Sequence, residues 1–321
     1  MPFLRRRAAL AAPALLLVSG RARAQTFPTR PITLIVQFGP GSTTDIAARR
    51  FGELLAAQLG QPVVATNRAG GGGVIGIAEM ARATPDGHTI GLINMPALTT
   101  IPHLQAVPYD PLAAFHHIGV IGPYEYGVYV AATAPWRSWE ELVAYARANP
   151  GRLTYGTPGA GTTNHLAMER IGRDLGISWT HAPFRGDGEL IPNVIGGHVQ
   201  LGNGSPGAIV PQVNGGALRL LLVTSRDRWH GLPGVPTMQE KGFGYFQSSF
   251  LSLAAPAAIP DAAKARLDAA ARSILTDAAV IAEFRDRLSV TVKYEDGPSY
   301  AAFLRDQHAF YRTFLPTLRL T

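Results

Sequence analysis

One local order recurs along this chain and limits the folds open to it: a short apolar run, a glycine-rich turn, then a segment with helical spacing. Ile32-Thr33-Leu34-Ile35-Val36 leads to the turn Gly39-Pro40-Gly41. Apolar residues then recur at Ile46, Ala47, Phe51, Leu54, Leu55 and Leu59, up to Gly60. A compact β-branched run predicts a strand, and the i, i+4 recurrence predicts a helix. Pro62 to Ala65 is the next strand, and Gly70 to Gly73 opens a helix over Val74 to Ala83. After the turn Pro85-Asp86-Gly87, His88 to Ile93 is a third strand. Strand–helix–strand–helix–strand is the pattern of a parallel sheet covered by helices.

A second series follows. It predicts strands at Val128 to Ala132, Leu153 to Tyr155, Trp179 to Ala182, Val199 to Leu201 and Leu218 to Thr224. Helices are expected at Ser138 to Asn149, from Thr162 or Thr163 to Asp174, and at Glu189 to Ile195. Phe250 to Ala254 and Val290 to Tyr294 read as strands, with two helices over Asp261 to Leu288 and a last one over Pro298 to Phe314. No internal sequence repeat or low-complexity tract is visible. With 321 residues, 46% of them hydrophobic, the chain can bury two cores, which excludes a disordered or collagen-like protein. The expected fold is α/β with two lobes, and a ligand crevice lies at the strand carboxyl ends.

The first 24 residues form a separate unit. Arg5, Arg6 and Arg7 precede an apolar stretch from Ala8 to Val18, and Ala22-Arg23-Ala24 has the small-x-small form of a cleavage site. Those parts read as a secretory signal peptide, by the general or the twin-arginine route. The net charge of +7 comes mostly from this segment. Removing Arg5, Arg6, Arg7, Arg21 and Arg23 takes 29 basic residues to 24, against 22 acidic ones. A balanced mature chain has no footprint for nucleic acid. The absence of Cys excludes disulfides, thiolate metal sites and a Cys nucleophile.

Three glycine-rich segments can carry function. Gln37 to Asp45 lies between a strand and a helix, where free N–H groups and the helix dipole suit a carboxylate or phosphate, and Ser42, Thr43 and Thr44 add hydroxyls. The same residues equally suit a capped turn. Tyr155 to His165 repeats the arrangement with Thr157, Thr162, Thr163 and Asn164, and two such loops in separate lobes can pinch one anion. Gly71-Gly72-Gly73-Val74-Ile75-Gly76 has dinucleotide spacing, but no acidic residue ends the next strand near Ile93-Asn94. Helix entry with close packing suits it better. There is no G-x-S-x-G, no H-E-x-x-H and no zinc spacing. The hydroxyls of Ser42, Thr43, Thr157 and Thr162 are the expected direct donors, and no metal or cofactor is expected.

Taken in order, these segments resemble the Bug family, the solute-binding proteins of tripartite tricarboxylate transporters. The resemblance is carried by Pro31 to Val36 with Phe38-Gly39-Pro40-Gly41 and Asp45, by Asn67-Arg68 with Gly70 to Gly73, and by Pro85 to Thr89. It continues in Tyr155 to Thr162 with His165-Leu166 and Glu169, in Gly196 to Val199, and in Leu218-Arg219 through Leu232-Pro233-Gly234-Val235-Pro236-Thr237. The family implies a two-lobed periplasmic binding protein, type II-like, with parallel-rich sheets flanked by helices. It closes on a small carboxylate and hands it to a membrane permease. Lobe 1 would be 25–124 with 247–321, and lobe 2 would be 125–246. In the family two glycine loops hold one carboxylate, partly through ordered waters. Carried over, these are Phe38, Gly39, Gly41, Ser42, Thr43 and Asp45, and Thr157, Gly159, Gly161, Thr162 and His165. Asn94, Arg185, Asp187, Asn203 and Ser205 would face the rest of the ligand. The partners implied are a small organic carboxylate and the permease subunits, with the receptor a monomer.

The chain departs from the family pattern at Ser42 (commonly Gly), at Phe184-Arg185-Gly186 (often Tyr-Lys-Gly), at Gln200 (commonly acidic) and at Gly202-Asn203-Gly204 (usually apolar). A secreted enzyme using the same crevice, or a receptor reporting to a membrane sensor, stays open as an alternative.

Overall fold

The computed structural model describes residues 27–317 except Ser248. The signal-peptide expectation therefore lies outside the described residues. Lobe 1 is built on six strands: β1 (Ile32–Val36), β2 (Val63–Asn67), β3 (Thr89–Asn94), β4 (Phe115–Tyr124), β10 (Ser249–Pro256) and β11 (Glu295–Asp296). Their order is β11-β4-β10-β3-β1-β2. Lobe 2 is built on β5 (Gly127–Ala131), β6 (Thr154–Thr157), β7 (Thr180–Pro183), β8 (Leu201–Gly204) and β9 (Leu218–Val223), in the order β7-β6-β8-β5-β9.

Apart from the short β11, both sheets follow one plan. Three consecutive strands in each lobe, β1 to β3 and β6 to β8, are parallel, in the order second, first, third. A strand arriving from the other lobe then inserts antiparallel beside the third: β10 between β3 and β4, β5 between β8 and β9. The sheets are therefore mixed, because each accepts one strand that has crossed over and runs the opposite way. The crossings lie side by side. Thr224 N donates to Tyr126 O at 2.8 Å and Gln247 N to Thr224 O at 2.7 Å. Two adjacent strap segments of this kind are where a two-lobed molecule bends.

Period-two alternation explains the layers of lobe 1. Ile32, Leu34 and Val36 of β1 meet α1 (Thr43–Leu59), α9 (Asp261–Leu275) and α10 (Ala278–Leu288), whereas Ile35 faces α2 (Val74–Ala81), the short helix α3 (Pro96–Thr99), which α4 (Ile101–Leu104) follows, and α11 (Gly297–Phe314). Phe51 and Leu55 of α1 sit one helical turn apart on that inner face, fully buried. Truncating Phe51 to Ala would cost about 3–5 kcal/mol. In lobe 2, Val128 and Val130 of β5 face α5 (Trp139–Ala148) and α6 (Thr163–Leu175). Tyr129 faces α7 (Asp187–Ile195) and α8 (Pro206–Asn214). The expected strand at Val290 to Tyr294 does not pair as a ladder. Lys293 N donates to Ile121 O at 2.7 Å, and pairing with β4 is confined to Glu295 and Asp296.

Candidate ligand-binding site

The two glycine loops are built alike. Gly39-Pro40-Gly41-Ser42-Thr43-Thr44-Asp45 joins β1 to α1, and Gly159-Ala160-Gly161-Thr162-Thr163-Asn164-His165 joins β6 to α6. Gly41 and Gly161 take φ values of +78° and +73°, a left-handed turn that suits glycine. Ser42 and Thr162 are the N-caps, accepting from Asp45 N at 3.2 Å and His165 N at 3.4 Å. The loop N–H is captured four residues on: Gly41 N donates to Asp45 Oδ2 at 3.1 Å, and Gly161 N to His165 Nδ1 at 3.1 Å. In each loop the next two helix N–H groups, of Thr43 and Thr44 and of Thr163 and Asn164, have no partner among the described residues. Each loop therefore presents paired, dipole-backed donors suited to an anion.

Only Gly39/Gly159, Gly41/Gly161 and Thr43/Thr163 mark this repeat as sequence identity, because Ser/Thr, Thr/Asn and Asp/His fill other matching positions. It reassigns several side chains. Asp45 is an internal clamp, accepting also from Asn67 Nδ2 at 2.9 Å and paired with Arg49 at 2.9 Å. His165 is its counterpart in lobe 2. Thr162 Oγ1 donates to Gly159 O at 2.7 Å. Thr157 Oγ1 lies 3.1 Å from Gly159 O and 2.7 Å from His181 Nε2. Thr43 Oγ1 accepts from Ala208 N at 3.0 Å. The hydroxyls of Thr157 and Thr162, expected to act as direct donors, are engaged inside the protein, that of Thr43 is held as an acceptor against α8, and the backbone N–H groups are the main donors that the loops offer. The Thr157–His181 pair looks like a hydroxyl beside a base. Burial pushes His181 down to about 3, a weak base, and neither residue lines the cavity described next.

The loops face one narrow, partly open cavity between the lobes. Phe38, Ser42, Asn94 and Tyr124 line it from lobe 1, and Pro158, Asn164, Gly186 and Asp187 from lobe 2. None is Lys or Arg. Tyr124 escaped sequence reasoning because its strand did; its hydroxyl lies 2.9 Å from Thr44 Oγ1. Asn94 Oδ1 accepts from Ser249 Oγ at 2.8 Å. Asn164 Nδ2 donates to Asn203 O at 2.9 Å and to Asn203 Oδ1 at 3.0 Å. That orients the Asn203 amide and leaves its buried Nδ2 without a partner among the described residues. Ser205 Oγ lies 3.0 Å from Asp187 Oδ2, while burial raises Asp187 to about 7. Arg185 is not in the cavity. It lies outside, in an open groove with Gly39, Pro40, Asn67 and Glu189.

The lobes touch around this cavity. Gly39 N donates to Arg185 O at 3.0 Å, and Thr100 Oγ1 to Gly161 O at 2.8 Å. A Cβ on Gly159 would fall 2.9 Å from Gly72 Cα. The third glycine segment is thus a close-packing surface for the second loop. Among the described residues, no group of three or more His, Asp or Glu is placed to hold a metal ion.

Comparison with known proteins agrees with this architecture. Residues 47–318 match the family model described as "Tripartite tricarboxylate transporter family receptor". The chain belongs to that receptor family. A Cupriavidus necator relative, the UPF0065 protein in the gbd 5′ region, is 38% identical over 249 residues, 78% of this chain and 76% of that one. The solved structure of periplasmic binding protein BugD is 27% identical with a TM-score of 0.85, covering 91% of this chain and 98% of BugD. The R. palustris protein Rpa4515 with adipate is 28% identical with a TM-score of 0.85, covering 89% of this chain and 96% of that one. The Bug family resemblance and the two-lobed α/β binding-protein fold are established by these matches.

Proposed function

We propose that this chain is a periplasmic receptor that closes on a small organic carboxylate and delivers it to a tripartite tricarboxylate-type permease. The observation that carries this reading is the pair of equivalent helix starts, one per lobe, facing one cavity lined by no cation. Helix N-termini and amides suit a carboxylate held by dipoles rather than by a counter-charge. The adipate found in Rpa4515 supports the ligand class.

The moving bodies are 25–124 with 247–321, and 125–246. They bend at Tyr126, Thr224 and Gln247. Ligand binds better when the two helix starts converge, so it draws the population toward the closed form. Phe38, Ser42, Asn94, Asp187 and Asn203 meet the ligand beside the backbone of both loops. Gly39, Gly41, Asp45, Gly159, Gly161, Thr162 and His165 shape those loops. The periplasmic location follows the family, and a cleaved leader in residues 1–24 accounts for the export.

A thermal-shift screen tests this reading. The protein is unfolded and refolded to strip bound compounds, then heated with mono-, di- and tricarboxylates and acidic amino acids. A ligand at about 100 times its Kd adds about 2.7 kcal/mol, a rise of several degrees. A selective rise with the compound recovered intact supports a receptor. Turnover of the compound would show an enzyme instead.

A further inference from the structure

Asp187 is a carboxyl group set into the cavity wall with no cation beside it. It is 1% exposed, at the first turn of α7. Oδ2 is paired with Ser205 Oγ at 3.0 Å, and Oδ1 has no partner among the described residues. The elements packed around it supply neutral groups: Tyr124 of β4, Tyr129 of β5, the Gly204 backbone of β8, and Ser205. Burial pushes both phenols upward, so they stay protonated. On the facing loop, Asp45 is held by Arg49 and Asn67. At the start of α7, Arg185 and Glu189 are exposed, and Glu189 Oε2 accepts from Arg185 N at 2.9 Å.

An ionised carboxylate in such surroundings is costly, whereas a neutral acid is tolerated and has a proton to donate. We propose that Asp187 is a neutral acid in the ligand-bound cleft and donates a hydrogen bond to the second carboxylate of a dicarboxylate whose first carboxylate is held by the two helix starts. This rests on the carboxylate-receptor reading. A dianion entering a cavity without Lys or Arg would meet a like charge if Asp187 stayed ionised. Protonation removes the repulsion and turns the group into a donor. The spare Asn203 Nδ2 is a second donor from the adjoining strand end. Burial alone already brings the carboxyl to about 7, and the charge of the ligand raises it further. Binding a dicarboxylate therefore takes up one proton, and Asp187 selects an anionic second end over an ammonium.

The test is calorimetric titration of the purified protein with succinate, malate and adipate from pH 7 to 8.5, where both ligand carboxyls are ionised. The best binder is then titrated at pH 8 in buffers of different ionisation heat. The expected result is an affinity that falls about tenfold per pH unit above 7, with about one proton taken up at pH 8. Asp187→Asn, which donates at every pH, should give a flat profile, and Asp187→Ala should bind at least about tenfold more weakly than Asp187→Asn. A flat wild-type profile with measurable binding overturns the role of Asp187 and leaves the receptor reading standing. An affinity that rises with pH overturns it too, in favour of an ionised Asp187 accepting from the ligand. No binding of any of the three by wild type or Asp187→Asn, at any pH, removes the dicarboxylate reading and this inference with it.

Discussion

Asp187 Oδ1 occupies the place where a side chain on Gly204 would begin: a Cβ there would fall 2.5 Å from it. The carboxyl at the start of α7 and the bare backbone at the end of β8 are one fitted pair. This accounts for glycine at position 204. Gly204→Ala is expected to cost about 1–3 kcal/mol through overpacking. Asp187→Ala should clear that space, so the double variant should be more stable than the sum of the single losses by about 0.5–3 kcal/mol. Urea unfolding of the four proteins measures the coupling, and strict additivity would show that the two positions are not fitted.

The Thr162 hydroxyl closes its loop from both sides, donating to Gly159 O and accepting from His165 N. Thr162→Val removes the N-cap of α6 and is expected to cost about 1 kcal/mol. Thr162→Ser should restore most of it. Urea midpoints with constant slope decide this, since a loop hydroxyl reserved for ligand would leave the midpoint of the valine variant where it was.

Much of this fold is legible in the sequence where local preference and tertiary packing agree. Ile32 to Val36 is apolar enough to be a strand buried on both faces, and it is one. The strand β4 was not legible because Phe115-His116-His117-Ile118-Gly119 mixes imidazoles and glycine into a run that only its sheet neighbours stabilise. Two prolines hide α8: Pro206 sits at the helix start, where it is tolerated, and Pro211 in its interior. Val290-Thr291-Val292 has strand alternation, and both valines are buried, yet the backbone passes β4 without a ladder. At the site, the loops were legible as anion cradles. Their inner wiring was not, because a hydroxyl beside a glycine turn can face a ligand or its own carbonyl, and only the fold decides. Tyr124 was lost along with β4.

His165 Nδ1 accepts the Gly161 N–H, so that nitrogen must stay unprotonated for the second loop to hold its shape. Its ring stacks on His181 with centroids 4.0 Å apart. Burial pushes His165 from 6.5 down to about 4. Between those values the unfolded chain binds a proton that the folded chain refuses. Stability therefore rises with pH through this window and is lost as pH falls from about 6.5 toward 4. At pH 4.5 the contribution of His165 to that loss is roughly 2 kcal/mol. His165→Asn, which can accept from Gly161 at any pH, should lose that much less stability than wild type between pH 7 and 4.5. Equal losses in denaturant melts would place the acid sensitivity elsewhere.

Gly188 separates closing from folding. A Cβ at this position of α7 would overlap Pro40 O, and the other contacts within reach are Pro40 C and Gly41 Cα. All of them belong to the opposite lobe. The backbone of Gly188 is not in the left-handed region, so alanine is free of strain there. Within α7 alone, Gly188→Ala should stabilise the helix by up to about 1 kcal/mol. Across the cleft, the same methyl group holds the α7 start away from the β1–α1 loop, so the two helix starts cannot converge. The expected outcome is an unfolding temperature without ligand at or above that of wild type, with carboxylate affinity reduced by on the order of tenfold or more. Small-angle scattering with saturating ligand should show wild type compacting and Gly188→Ala remaining extended. If the variant binds and compacts like wild type, the contact between Pro40 and Gly188 is not part of closure.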